Sequence, residues 1–236
     1  MAKLIPEISV FLPVYNEESN LQKVVLKTKE VLTQVADNWE LLIVNDGSSD
    51  STISVGQDLV KSDKRIRLIN HEENKGYGAA LASGFYGSKY SWIAFIDSDG
   101  QFDFNEIRNF IAKRDSTNAD LVIGYYKSRK VSFTKVVTSK LWEFLVFVFF
   151  GLKVRDIDCG FKMVSRDVIQ KITKLESTRG AFISSELLIK AKKAGFIIAE
   201  VPVTHYPRIR GEGTGRNFDV IVKSFTDLFK LWRKLR

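Results

Sequence analysis

One cysteine, Cys159, stands among 236 residues. That excludes an internal disulfide framework and fits a reducing compartment, which we expect to be the cytoplasm. The two histidines, His71 and His205, are far apart in sequence, so no Cys/His cluster with zinc-ligand spacing exists. No apolar run reaches the ~18–20 residues of a membrane-spanning helix. The nearest, Leu141 to Leu152, is interrupted by Glu143 and Gly151. The first residues lack the apolar stretch of a secretory signal. Linker-like breaks, internal repeats and low-complexity tracts are also missing, and we expect one domain. Helix-turn-helix, zinc-finger and RNA-recognition signatures are absent too, so nucleic acid is not an expected partner.

What is present is a charge excess with a pattern. The net charge is +8 and the pI about 9.4. Arg208, Arg210 and Arg216 cluster in a Gly-rich stretch, and Lys230, Arg233, Lys234 and Arg236 crowd an aromatic tail. Such a balance suits phosphorylated small molecules or an anionic membrane surface.

Apolar runs and helical periodicities alternate along the first half. Strands are expected at Ile8–Val14, Glu40–Val44, Arg65–Ile69, Trp92–Ile96 and Ala119–Gly124. Helices are expected at Asn20–Val35, Ser51–Ser62, Gly78–Ser88 and Asn105–Lys113. Alternation of this kind implies crossover units and a mostly parallel sheet with helices on both faces. Beyond residue 125 an aromatic helix is expected from about Val131 to Gly151. Helices at Arg166–Lys171 and Ser184–Ala194 and a strand from Phe196 to Val203 follow. The segment from Phe218 to Leu235 reads as a basic amphipathic helix, suited to an anionic membrane interface, to the domain itself or to a homodimer partner.

In open parallel sheets, ligands bind outside the carboxyl ends of the strands. The polar clusters fall there: Pro13 to Glu18, Asn45 to Asp50, His71 to Gly76, and Asp97 to Gln101. In the last, strand alternation would turn Asp97 and Asp99 to one face as an apolar strand opens into a Gly-containing loop. Two carboxylates and the amide oxygen of Gln101 suit Mg²⁺ or Mn²⁺. An Asp-rich turn is the alternative.

These clusters, in this order, resemble family 2 glycosyltransferases of the GT-A fold. Within that family they are most similar to polyprenyl-phosphate sugar synthases of the dolichyl-phosphate mannose and glucose type. Asp156 to Lys162, the Ser185–Leu187 helix and Val201 to Pro207 match that subgroup's acceptor half. The resemblance implies a Rossmann-like α/β domain with a nucleotide-sugar and metal half (1–125), an acceptor half (126–217) and the C-terminal helix (218–236). It implies an inverting transfer of mannose from GDP-mannose, or glucose from UDP-glucose, to a polyprenyl phosphate at the cytoplasmic membrane face. A saccharide hydroxyl acceptor, with Asp156, Asp158 or Glu186 as base, or a non-catalytic adaptor are the rival readings.

Carried over residue by residue, the resemblance places Pro13, Tyr15, Glu17, Asp46, Lys75, Asp97 and Ser98 at the nucleotide sugar. It places Asp97, Asp99 and Gln101 on the cation. Asp99, Arg208 and Arg210 are the expected catalytic groups, and Arg155, Lys162 and Arg216 the expected acceptor-phosphate contacts. Asn45 replaces an Asp common in the family, which leaves Asp46 as the base contact. Arg208/Gly211 and Arg210/Gly213 both fit the subgroup's loop pattern, but its Ser-Lys ending is missing, so neither arginine is singled out. Glu186 is expected to be an exposed charge or a structural partner for an arginine, and Cys159 a small core residue.

Overall fold

We describe the structure, a computed structural model, over residues 3–127, 133–178, 180, 182–207 and 218–235. Strand β1 (Ile5–Val14) is buried on both faces, as its nearly unbroken apolar run requires. Val10 and Leu12 join one core, while Phe11 joins the other. Helix α1 (Leu21–Val35) buries Leu21, Val25, Thr28, Val31, Leu32 and Val35 along one side. Each such apolar side chain fully removed from water contributes roughly 1.5–3 kcal/mol.

The chain passes from α1 directly into β2 (Ala36–Asp46), four residues earlier than its apolar run predicts. The reason is pairing: Ile5 lies opposite Ala36 and Glu7 opposite Asn38, so the ladder recruits a polar segment into the strand. Then follow α2 (Thr52–Ser62), β3 (Ile66–His71), α3 (Tyr77–Gly87) and β4 (Trp92–Ile96). A short 3₁₀ turn (Phe104–Glu106) leads into α4 (Ile107–Thr117), and β5 (Leu121–Tyr126) follows. The second half holds α5 (Phe133–Phe150), β6 (Phe161–Ser165), α6 (Arg166–Lys171), α7 (Phe182–Lys193), β7 (Ile198–Val203) and α8 (Phe218–Leu235).

The seven strands run in the order β3-β2-β1-β4-β6-β5-β7. All neighbouring pairs are parallel except those of β6, which lies antiparallel between β4 and β5. Strand β6 is the one described strand that the sequence reading did not anticipate. Its run is five residues long, has Lys162 inside it and enters α6 without a turn.

Helices α1, α2 and α4 cover one face, sharing a core with Leu41, Ile43 and Ala94. Helices α3 and α5–α8 cover the other, where Phe11, Phe85 and Phe95 pack at centroid separations of 5.0–5.7 Å. Because β1 to β4 are parallel, their carboxyl ends share one edge. The order reverses between β1 and β4, since β2 and β3 lie on one side of β1 and β4 on the other. That is the switch point at which such sheets open a cleft.

Candidate active site

The ends of β1 and β4 are joined across the switch point: the Ser98 hydroxyl, buried, donates to the Pro13 carbonyl at 2.7 Å. The loop after β1 is laced to the loop after β2. Asn16 adopts a left-handed φ of 53°, a conformation Asn tolerates. Its amide oxygen accepts from the Ser49 N–H at 2.8 Å, and the Glu17 N–H donates to Thr52 Oγ1 at 2.9 Å. The Glu17 carboxylate is buried and takes the Asn20 side-chain amide at 2.7 Å. Tyr15, by contrast, is exposed at the cleft edge.

Asp46, at the end of β2, is buried and organises the loop beyond β3. Its Oδ1 pairs with His71 Nδ1 at 2.7 Å and accepts the Lys75 N–H at 3.0 Å, and Oδ2 accepts the Gly76 N–H at 2.8 Å. The other ring nitrogen of His71 meets the Ser83 hydroxyl at 2.9 Å. Gly76 precedes α3 at a φ of 98°, a backbone region that favours glycine. The Lys75 side chain is exposed.

Beyond β4 the regular strand stops at Ile96, so strand alternation does not govern Asp97 and Asp99, contrary to our expectation. A turn carries them instead: Asp99 Oδ1 accepts the Gln101 N–H at 3.0 Å, and Gly100 takes a φ of 74°. Tyr77 Oη donates to Asp97 Oδ1 at 2.8 Å. On the other side Gly160 presses against the same carboxylate, where an added Cβ would come within 2.0 Å of Oδ2.

Gln101 Nε2 donates to the Tyr206 carbonyl and the Tyr206 N–H to the Gln101 carbonyl, both at 2.8 Å. That arrangement leaves the Gln101 amide oxygen unused by these bonds. Among the described residues no three His, Cys, Asp or Glu side chains are gathered into a metal cage. The donor set is two carboxylates and one amide oxygen, all hard oxygen ligands on one loop. It fits Mg²⁺ or Mn²⁺, which keep several waters or substrate phosphates in their shells.

His205 was missing from the sequence-derived site. It bridges to Phe102 just beyond the acidic loop, its ring 5.2 Å from that of Phe102 and 4.8 Å from that of Tyr126. The available signal was topological: β7 runs parallel to β5, so the residues after Val203 emerge at the same sheet edge.

The expected phosphate contacts divide. Arg155 is exposed, with its guanidinium 4.5 Å over the Tyr125 ring at the end of β5. Lys162 departs from a surface role: it is fully buried, and its ammonium donates to the Cys159 carbonyl at 2.5 Å. Burial lowers its pKa, while Cys159, Asp156, Asp158 and Asp97 partly offset that loss. Arg208, Arg210 and Arg216 lie outside the described residues.

Glu186 is neither an exposed charge nor an arginine partner. It is buried in an ion pair with Lys190 at 2.5 Å and accepts the N–H groups of Glu176 and Ser177. Burial pushes its carboxyl up, but Lys190 and those N–H groups outweigh burial and hold it below its ordinary value. Asp156 is buried and takes the Asp158 N–H at 3.0 Å. Cys159 is a buried core residue whose thiol is pushed up by burial to about 12.

Residues 9–173 match the family described as Glycosyl transferase family 2. The chain belongs to that family. This family 2 glycosyltransferase is 30% identical over 238 residues to a dolichyl-phosphate beta-glucosyltransferase of Trichomonas vaginalis, covering 95% of this chain and 72% of that protein. It is 28% identical over 239 residues to a dodecaprenyl-phosphate galacturonate synthase of Rhizobium johnstonii, covering 98% and 69% respectively. It spans only 33% of a similar Haloferax volcanii glycosyltransferase. Among solved structures it superposes on glucosyl-3-phosphoglycerate synthase of Mycobacterium tuberculosis, in complex with Mn²⁺, UDP and glucosyl-3-phosphoglycerate. The TM-score is 0.68 at 21% identity, over 98% of this chain and 80% of that one. The fold is therefore GT-A, as expected.

Proposed function

We propose that this glycosyltransferase moves a hexose from a nucleotide sugar to a polyprenyl phosphate with inversion at the anomeric carbon. The observation that carries the reading is the Asp97–Gln101 loop at the switch point, bonded on one side to the end of β1 and on the other to Tyr206. The lipid-linked acceptors in the names of the relatives support the acceptor class. The glucosyl group in one of those names favours UDP-glucose over GDP-mannose.

In this reading Glu17 stands at the nucleoside end and Asp46 shapes that end by holding the Lys75 and Gly76 N–H groups, with Pro13 and Tyr15 shaping its entrance, and Lys75 and Ser98 beside the donor. Asp97, Asp99 and Gln101 hold Mg²⁺ or Mn²⁺. When bound, the cation supplies charge stabilisation for the departing nucleoside diphosphate. An acceptor phosphate oxygen attacks the anomeric carbon, a carbon–oxygen bond forms, and the bond from that carbon to the diphosphate breaks. A phosphate monoester is already anionic near neutral pH and needs no base. Two of the three rival carboxylates fit that economy: Glu186 is buried with both oxygens engaged, and Asp156 is buried as a turn acceptor, while Asp158 is exposed. A hydroxyl acceptor would have demanded a base there. Arg155 and Arg216 are assigned to the acceptor phosphate, and Arg208 and Arg210 to catalysis at the diphosphate.

The lipid needs an apolar landing. Helix α5 exposes Leu141, Phe144, Phe147, Val148 and Phe149, and α8 exposes Phe229. Phe149 and Trp232 join the two helices at 5.7 Å. Lys230, Arg233 and Lys234 flank that surface, which suits peripheral contact with an anionic membrane at its cytoplasmic face. Among the described residues no helix is long and apolar enough to cross a membrane.

The test is product analysis. Purified protein with Mn²⁺ and UDP-glucose or GDP-mannose should glycosylate polyprenyl phosphate and leave oligosaccharide acceptors untouched. Transfer to the saccharide alone would overturn the acceptor assignment.

A further inference from the structure

The two ends of the donor site are bonded to each other through three consecutive residues. Asp46, at the nucleoside end, holds the N–H groups of Lys75 and Gly76. The next residue, Tyr77, donates its phenol to Asp97 at the cation end, at 2.8 Å. Helix α3 is fastened again nearly two turns later, where Ser83 meets the His71 ring that pairs with Asp46. The phenol cannot drift, because Tyr77 packs against the core that holds Phe11, Ala80 and Phe95. Gly160 closes the opposite side of the Asp97 carboxylate. Asp97 is thus clamped between a hydroxyl and a backbone.

We propose that Tyr77 is a positioning residue that aims the Asp97 carboxylate at the cation and couples cation binding to occupation of the nucleoside end. This rests on the cation reading of Asp97 given above. A hydrogen bond of this kind fixes which oxygen faces outward. Loss of such partners behind a metal ligand ordinarily costs 10–100-fold in metal affinity or activity.

Tyr77→Phe removes one oxygen and keeps the ring, so the core packing persists. Calorimetric titration with UDP, or with GDP where UDP does not bind, is run in EDTA and again in Mn²⁺. In wild-type protein Mn²⁺ should tighten nucleotide binding. In Tyr77→Phe the affinity in EDTA should match wild type, while the gain from Mn²⁺ should be about tenfold smaller. A general structural defect would weaken both arms equally, and that result overturns the proposal. So does an undiminished Mn²⁺ gain, or a variant that fails to fold. If wild-type protein shows no Mn²⁺ gain at all, the cation reading itself falls, and this proposal with it.

Discussion

In the half of the molecule built on β1–β4, Glu17, Asp46, Asp97 and Asp99 stand at strand ends, where loop N–H groups, a hydroxyl and side-chain amides bind them. In the half built on β5–β7 and α5–α8, charges are drawn inward: Lys162, Glu186 and Lys190 are all buried. Apolar side chains of α5 are pushed outward instead. The first half buries charge too, with Glu40 of β2 paired to Arg67, but its other buried carboxylates sit at strand ends. The first half gathers carboxylates at the carboxyl ends of its strands. The second spends an ion pair on holding loop 173–178, which in turn abuts α3: the Ala79 N–H donates to the Thr178 carbonyl at 2.9 Å. Its outer surface carries the exposed apolar side chains of α5.

That contrast breaks most directly at Glu186. Removing one member of a buried ion pair leaves the other charge uncompensated and costs about 3–5 kcal/mol. Glu186→Ala should lower unfolding free energy by about that amount in urea titration, and the pair replacement Glu186→Leu with Lys190→Met should recover most of it. A neutral Glu186→Ala would dissolve the distinction between the halves.

Asp99→Asn should behave in the reverse manner. Its thermal midpoint should stay near that of wild type, while sugar transfer falls by about 10²–10³-fold, the scale of losing one electrostatic stabiliser. The outer surface sharpens the comparison at a smaller scale. Phe144→Ser, Phe147→Ser and Phe229→Ser combined should weaken flotation with anionic vesicles by about tenfold or more, given roughly 1.5–3 kcal/mol per fully buried aromatic. Nucleotide binding should be unaffected.

The smallest expected effect is in acid. The Glu186 carboxyl is held below its ordinary 4.5. Its ionised form therefore contributes stability that is fully present above the unfolded value and is lost as pH falls through the folded one. Stability of wild type, followed by denaturation at stepped pH, should decline below about 4.5, and Glu186→Gln should flatten that decline.

The same contrast explains what sequence could reveal. The four strand-end clusters were legible because each parallel strand is a short apolar run that ends in Asx and Gly turn residues. The topology rule then places them on one edge. The GT-A fold was legible in their order. Strand β6 was not, because Lys162 interrupts its apolar character and only its neighbours' pairing makes it a strand. Glu186 was misread because α7 buries every residue from Phe182 to Ala191, so no polar stripe marks its inner face. The i,i+4 spacing to Lys190 was the signal available. The Phe102–His205 bridge and the Tyr77–Asp97 hydrogen bond join segments distant in sequence, which spacing along one chain does not display.

The central claim is that the acidic loop after β4 holds a divalent cation against a nucleoside diphosphate. Thermal unfolding of wild type and Asp99→Asn, each with UDP, with Mn²⁺ and with both, tests it most directly, since ligands that bind the native state raise its apparent stability. We predict a midpoint increase in wild type with both ligands that exceeds the sum of the separate increases, and its loss in Asp99→Asn. An equal increase in the two proteins, or one that UDP produces fully in EDTA, would contradict the claim.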